Sequence, residues 1–226
     1  MSGGNRLALF DLDGTLVDSA PDLAHAVDDA LSTHGFAPIG EAQVRDYIGG
    51  GATRLIHRAL TGRPDGNAPS AIFERVYETF DAVYAASVFV RSRVYPTTTE
   101  TLESLRSNGW KLAVVTNKPA RFSEPLLTAA DLADRFDLVL SGDSLPAKKP
   151  EPAPLLHAMS LLDSSVDRTV MVGDSFLDLE AGRRAGCRVV CVNYGYGGGV
   201  DLAAAGADRC IDRLAELGPW CADCIA

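Results

Sequence analysis

The sequence predicts an α/β protein: a parallel sheet covered by helices on both faces, interrupted after its first strand by an inserted helical segment. Three observations predict this. Short runs of Val, Leu and other apolar residues recur, and each stops at polar or Gly-rich residues, as strands buried on both faces do. Segments with apolar residues at helical spacing lie between most of the runs, which implies crossover connections and parallel strands. Between Phe10 and Leu112 lie about a hundred residues without a convincing core strand, far more than the ~12 that a crossover needs.

The expected strands are residues 7–10, 112–115, 138–140, 170–172, 189–192 and a weaker 210–211. The helices between them are read from their apolar spacing. Residues 101–108 carry Leu102 and Leu105, 123–132 carry Leu126 and Leu127, and 152–162 carry Leu155, Leu156, Met159 and Leu162. Residues 177–185 end at Gly186, a good helix stop. Within the long interval, Ser19 can cap a helix that has Pro21 and Asp22 in its first turn and Gly35 just past its end. Leu23, Val27 and Leu31 form its apolar stripe. Residues 51–60 and 71–88 read as further helices. The expected division is an inserted helical domain over residues 17–90, with 1–16 and 91–226 forming the core.

Composition narrows the function classes. A chain of 226 residues, 46% hydrophobic and 23% charged, can bury a full core in one or two domains. A net charge of −9 disfavours nucleic acid, although a cleft can still attract a small anion against the global sign. The only early apolar run, residues 7–10, is too short for a secretory signal. No segment approaches the ~18 apolar residues of a membrane span. Five cysteines, an odd number, suggest free thiols in a reducing compartment, so a cytoplasmic location is expected. Cys221 and Cys224 have the spacing of a zinc or redox pair, which Cys210 could join, but no second such pair exists and inert thiols are expected. His25, His34, His57 and His157 form no metal-ligand spacing.

Ligands of open α/β sheets sit at the carboxyl ends of the strands. Four strands here end in chemically suggestive residues: Asp11 and Asp13 in DLDGT, Thr116 and Asn117 in VVTNK, Asp174 and Asp178 in VGDSFLD, and Lys149 in the loop KKPEP. Each alone reads as turn or capping chemistry. Four concurrent sites, gathered by a parallel sheet along one edge, read as an active site. Asp11 suits a nucleophile. Asp13, two residues on, suits a proton shuttle that protonates an alkoxide leaving group and later deprotonates water. Gly14 lets the backbone turn sharply just past Asp13. Carboxylates held close repel by about 4 kcal/mol per pair at ~4 Å and an effective dielectric of ~20. A hard divalent cation, Mg²⁺, offsets this, and Lys149 balances further charge. Thr116 and Asn117 can donate hydrogen bonds to phosphate oxygens. In the inserted segment, Gly49-Gly50-Gly51 precedes a helix, so Gly50 and Arg54 are candidates for an anion contact, the other reading being an ordinary turn and a solvated side chain.

In their order and spacing, these motifs resemble the haloacid dehalogenase superfamily over nearly the whole chain. The resemblance implies a Rossmann-like three-layer core with an all-helical cap, an essential Mg²⁺ and an aspartyl-phosphate intermediate. It implies Asp11 as nucleophile, Asp13 as acid/base, Thr116 at the phosphoryl group and Lys149 as charge balance. It places the metal on Asp11, Asp174 and the Asp13 carbonyl, supported by Asp178. Within the superfamily, TLVDSAPDLAHAVDDAL, YIGGGATRLIHRAL and SLPAKKPEPAPLL resemble the bacterial phosphoglycolate phosphatases, which implies conversion of 2-phosphoglycolate and water to glycolate and phosphate. The sequence departs from them at Thr97, where Gly is usual, and at Glu151, where His is frequent. The expected partner is a small phosphorylated metabolite, with neither nucleic acid nor membrane, and the chain is a monomer or homodimer. The alternatives are a phosphatase for another small metabolite, a β-phosphoglucomutase-like phosphomutase, and a non-catalytic phosphate-binding protein on the same fold. Dehalogenation is disfavoured because a halide leaves without needing the acid that Asp13 offers.

Overall fold

Alternation of side chains along each core strand decides the layering. In β1 (Arg6–Phe10), Leu7 and Leu9 enter one apolar cluster while Ala8 and Phe10 enter another. The strand therefore needs cover on both faces. The computed structural model describes residues 4–197 and 199–225; residues 1–3, 198 and 226, which the expected core range includes, lie outside the described residues. After β1 come β2 (Val17–Asp18), α1 (Ala20–Thr33), α2 (Gly40–Tyr47), α3 (Ala52–Thr61), α4 (Ser70–Ala86) and β3 (Arg93–Val94). The rest alternates: α5 (Thr98–Ser107), β4 (Trp110–Val115), α6 (Ala120–Ala129), β5 (Leu138–Leu140), α7 (Ala153–Leu161), β6 (Thr169–Gly173), α8 (Phe176–Ala185), β7 (Arg188–Val192), β8 (Arg209–Ile211) and α9 (Leu217–Cys224).

The main sheet has the order β5-β4-β1-β6-β7-β8, with every neighbouring pair parallel. The chain steps outward from β1 through β4 to β5, then returns to the other side of β1 with β6. The order reverses between β1 and β6, which is where such sheets open a ligand crevice. Each expected core strand lies inside an observed one, extended by at most two residues at its start and one at its end. Among the described residues, no helix is long and apolar enough to cross a membrane.

Four elements, β2, β3, α2 and α9, go beyond the expected set. β2 and β3 form an antiparallel ribbon, Val17 opposite Val94 and Asp18 opposite Arg93, which brings the two ends of the helical segment together. Strands of two residues carry no readable period. α2 has only Val44 and Tyr47 buried, too few for an apolar stripe. Ser19 is corrected: it stands at the start of α1 but caps no helical N–H, and its hydroxyl donates to Asp13 Oδ1 at 2.5 Å. Thr97, where the resemblance leads one to expect glycine, has φ +67°, a left-handed conformation that disfavours a β-branched residue. Its Oγ1 accepts the Ala215 N–H at 3.2 Å. The thiols of Cys187, Cys191, Cys210, Cys221 and Cys224 are free. Cys221 belongs to one apolar cluster and Cys210 packs on the other, so the sheet separates Cys210 from the Cys221–Cys224 pair.

Asp22 ties the helical segment shut. It is fully buried, and its Oδ2 accepts N–H bonds from Val90, Arg91 and Ser92 at 2.8–2.9 Å and the Ser92 hydroxyl at 2.7 Å. Burial pushes this carboxyl up, but the bonds from Ser92, Arg91 and Val90 outweigh it and hold it below its ordinary value. Asp22→Asn should therefore cost ~2–3 kcal/mol near neutral pH. Because the folded pKa is depressed, the native contribution is present above ~pH 4 and is lost as pH falls through that lowered pKa. Urea melts of both proteins should show a gap that closes on acidification.

Candidate active site

Three neighbouring strands each deliver one polar residue immediately past their last apolar one. Asp11 follows β1 and donates its amide to the Val172 carbonyl of β6 at 2.9 Å. Thr116 follows β4, with its amide on the Leu140 carbonyl at 3.0 Å. Asp174 follows β6. Strand register thus fixes all three. Asp178 comes from the first turn of α8, where it closes a capping box: its Oδ2 accepts the Ser175 N–H at 3.1 Å and hydroxyl at 2.6 Å. Lys149, from the loop after β5, places Nζ 2.8 Å from Asp11 Oδ1 and 2.6 Å from Asp178 Oδ1.

Asp174 is held by neutral donors, Thr15 Oγ1 on Oδ1 at 2.9 Å and the Tyr196 N–H on Oδ2 at 2.7 Å. Gly14 makes this approach possible. It has φ +86°, and a Cβ there would run into the Asp174 carboxylate. Asp11, Asp174 and Asp178 each offer a carboxylate oxygen, all within 4.8 Å of one another. One ammonium faces these three buried carboxyls. Burial pushes Asp11 up to about 6 even though Lys149 pulls it down; Asp178 adds to the rise. Burial, then Asp178 and Asp11, push Asp174 well above its ordinary value. For Lys149 burial favours the neutral amine, but Asp11 and Asp178 prevail and raise its pKa. The site is short of positive charge. Its donors are hard oxygens, which suit a divalent cation such as Mg²⁺.

Asp13 turns the other way from Lys149. Its Oδ1 accepts Ser19 Oγ at 2.5 Å and Lys118 Nζ at 3.0 Å, and Lys118 also reaches Oδ2 at 3.2 Å. Lys118 Nζ donates to Tyr84 Oη of α4 at 2.7 Å, which joins the helical segment to the sheet edge. Between them lies a cavity of about 30 Å³, walled by Leu55 and Phe80 and floored by Asp11, Asp13, Thr116 and Lys118. That is room for about two waters.

Two expected contacts fall elsewhere. Both amide hydrogens of Asn117 are committed, to the carbonyls of Gly49 and Lys149 at 3.0 Å each, and its Oδ1 accepts the Lys149 N–H at 3.0 Å. Its side chain is a fastener between the glycine loop and the lysine loop, while Asn117 itself lines the cavity with Asp11, Asp13 and Thr116. Arg54 spends its guanidinium on the carbonyls of Gly66 and Pro64 and on Asn67 Oδ1, at 2.9–3.1 Å, inside the helical segment. Gly50 lies against the Arg54 stem, whereas Gly49 and Gly51 line the cavity. Arg58, which sequence reasoning passed over, lines an adjoining cleft with Asp46, Asp174 and Tyr196.

A family model described as haloacid dehalogenase-like hydrolase matches residues 8–192. The chain belongs to that family. A phosphoglycolate phosphatase of Nitrosococcus oceani is 43% identical over 212 residues, 94% of each chain. The phosphoglycolate phosphatase of Vibrio parahaemolyticus is 42% identical, again over 94% of each chain. Among solved structures, a protein described as a predicted phosphoglycolate phosphatase from Haemophilus somnus superposes with a TM-score of 0.90 at 35% identity, covering 97% of this chain and 99% of that one.

Sequence reasoning missed Lys118, Tyr84 and the Ser19 hydroxyl. Lys118 was visible as the residue after Asn117 in VVTNK, but a lone lysine gives no sign of burial. Removing the central cation should be severe. Lys149→Met leaves Asp11 and Asp178 buried without it, and ~3–5 kcal/mol of stability should be lost at pH 7 in denaturant melts without Mg²⁺.

Proposed function

We propose that this hydrolase converts 2-phosphoglycolate and water to glycolate and phosphate through an aspartyl phosphate on Asp11, with Mg²⁺ as cofactor. The observation that carries the reading is Lys149 Nζ held between Asp11 and Asp178, with an Asp174 oxygen inside the same 4.8 Å cluster. The phosphoglycolate phosphatases that align over 94% of this chain support the substrate. Asp11 and Asp174 would hold the metal, with the Asp13 carbonyl. Asp178, bonded through both oxygens to Lys149 and Ser175, stands behind them. A bound divalent cation would neutralise charge on the transferring phosphoryl group.

In the first step an Asp11 carboxylate oxygen attacks phosphorus, an O–P bond forms and the ester P–O bond breaks. Asp13 gives its proton to the departing glycolate oxygen. In the second step Asp13 takes a proton from water, whose oxygen attacks phosphorus; the Asp11 O–P bond breaks, inorganic phosphate leaves and Asp11 returns as carboxylate. Lys149 keeps Asp11 ionised for attack and opposes the negative charge that develops. Thr116, at the end of β4, faces the same cavity as a phosphate contact. Residues 17–90 act as a cap on the core of residues 1–16 and 91–226, and substrate enters when α3 and α4 lift away from the sheet edge. The five free thiols fit a reducing compartment.

Phosphate release should be measured over small phosphomonoesters led by 2-phosphoglycolate, with Mg²⁺ and with a chelator. Release from 2-phosphoglycolate that stops with the chelator is expected. Asp11→Asn should abolish turnover, and Asp13→Asn should slow it about 10²- to 10⁴-fold. Interconversion of sugar phosphates without release would instead identify a phosphomutase, and Mg²⁺-dependent turnover by Asp11→Asn would remove Asp11 as nucleophile.

A further inference from the structure

The reaction leaves one buried charge without a part. Lys118 is 5% exposed. Among the described residues it is the single cation lining the cavity walled by Leu23, Ile48, Leu55, Phe80 and Phe122 beside Asp11 and Asp13; the adjoining cleft also reaches Asp11 and Asp13 and has Arg58, whose guanidinium donates to the Pro64 and Tyr47 carbonyls. Burying an ammonium among such groups is costly unless its bonds are made. Its partners are Asp13 and Tyr84. An ammonium has three N–H donors. The contacts to the two Asp13 oxygens, 3.0 and 3.2 Å, suit one shared N–H, and Tyr84 takes a second. A third is left for whatever fills the cavity.

The position of that donor matches the chemistry of one substrate class. A phosphate ester cleaved here presents phosphorus to Asp11 and its ester oxygen to Asp13. The next group along the substrate then meets Lys118, whose Nζ lies 3.0 Å from Asp13 Oδ1. In 2-phosphoglycolate the carboxyl group is bonded to the carbon that bears the ester oxygen. The O–C–C–O path of three bonds, none longer than ~1.5 Å and bent at each carbon, sets the carboxylate oxygens about 3 Å from that ester oxygen. The separation of acid and ammonium in the protein is thus the separation of ester oxygen and carboxylate in the substrate. An alkyl phosphate of the same length would put a methyl group against the ammonium and leave its donor unpaired.

We propose that Lys118 is a specificity-determining residue that receives the carboxylate of the substrate. The proposal rests on the phosphatase reading above and deepens it. It also explains why Arg54, bound within the helical segment, has no need to reach the cavity.

The test compares kcat/KM for 2-phosphoglycolate with that for its neutral isostere, 2-phosphoglycolamide, in the full-length wild type, Lys118→Met and Lys118→Arg. The wild type should prefer the acid by about 10- to 100-fold, the worth of a charge-assisted bond. In Lys118→Met that ratio should collapse towards one, chiefly through KM for the acid. Any loss from the altered Asp13 contact falls on both substrates equally and cancels in the ratio. Lys118→Arg should keep part of the preference. A Met variant that slows both substrates by one factor with the ratio intact would reduce Lys118 to a positioning residue for Asp13 and overturn the proposal. So would a wild type without preference for the acid. If Lys118→Met fails to fold, Lys118→Gln, which can still bond Asp13 and Tyr84, is read in the same way. Wild-type protein that turns over neither ester would instead overturn the phosphatase reading.

Discussion

Three carboxyls and one ammonium, all buried, share the carboxyl edge of the sheet, and most of the structure around them reflects the cost of keeping them there. Each close pair of like charges costs several kcal/mol at an intermediate dielectric, and a single lysine cannot settle three acids. The chain answers with geometry. Strand register fixes Asp11 and Asp174, the capping box of α8 fixes Asp178, and the Asn117 side chain pins the backbone of Lys149. Asp174 is left to neutral donors, Thr15 and the Tyr196 amide. The negative charge that remains suits a divalent cation and the phosphoryl transfer proposed above.

The same residues that hold the charges also bind the helical segment to the core. Asn117 reaches Gly49, Lys118 reaches Tyr84, and Tyr196 donates its hydroxyl to Asp18 on the ribbon at 2.7 Å while its amide serves Asp174. Arg45 of α2 closes this last set on Asp18 at 3.0 Å. Opening of the segment, as proposed above, would break contacts made by residues next to Asp11 and Asp13 in the site. Asp22 lies outside this set and fastens α1 to residues 90–92, just before β3.

Much of this was legible in the sequence because buried parallel strands and strand-end chemistry both leave local marks. Runs such as Leu7–Ala8–Leu9–Phe10 announce burial on both faces, and the residues that break them, Asp11, Thr116 and Asp174, are the ones the sheet edge gathers. Three of the segment's four helices, α1, α3 and α4, were legible, α1 through its apolar stripe. What stayed hidden depends on pairings distant in the chain. The ribbon joins residues 17–18 to 93–94 with no period to read. Ser19 and Asp22 look like helix-start residues, yet one serves Asp13 and the other holds residues 90–92. Asn117 reads as a phosphate donor because its position is right, while its amide hydrogens are spent on two carbonyls. Thr97 departs from glycine yet keeps the positive φ that glycine would favour.

The central claim is spatial: one cation and one phosphoryl group share the pocket formed by residues 11, 149 and 174. A crystal structure of the protein grown with Mn²⁺ and vanadate, read by anomalous scattering, tests it most directly. The account predicts one metal touching Asp11 and Asp174, with vanadate against the free side of the Asp11 carboxylate and within reach of Lys149. Metal and vanadate bound away from Asp11, or apart from each other, would contradict it.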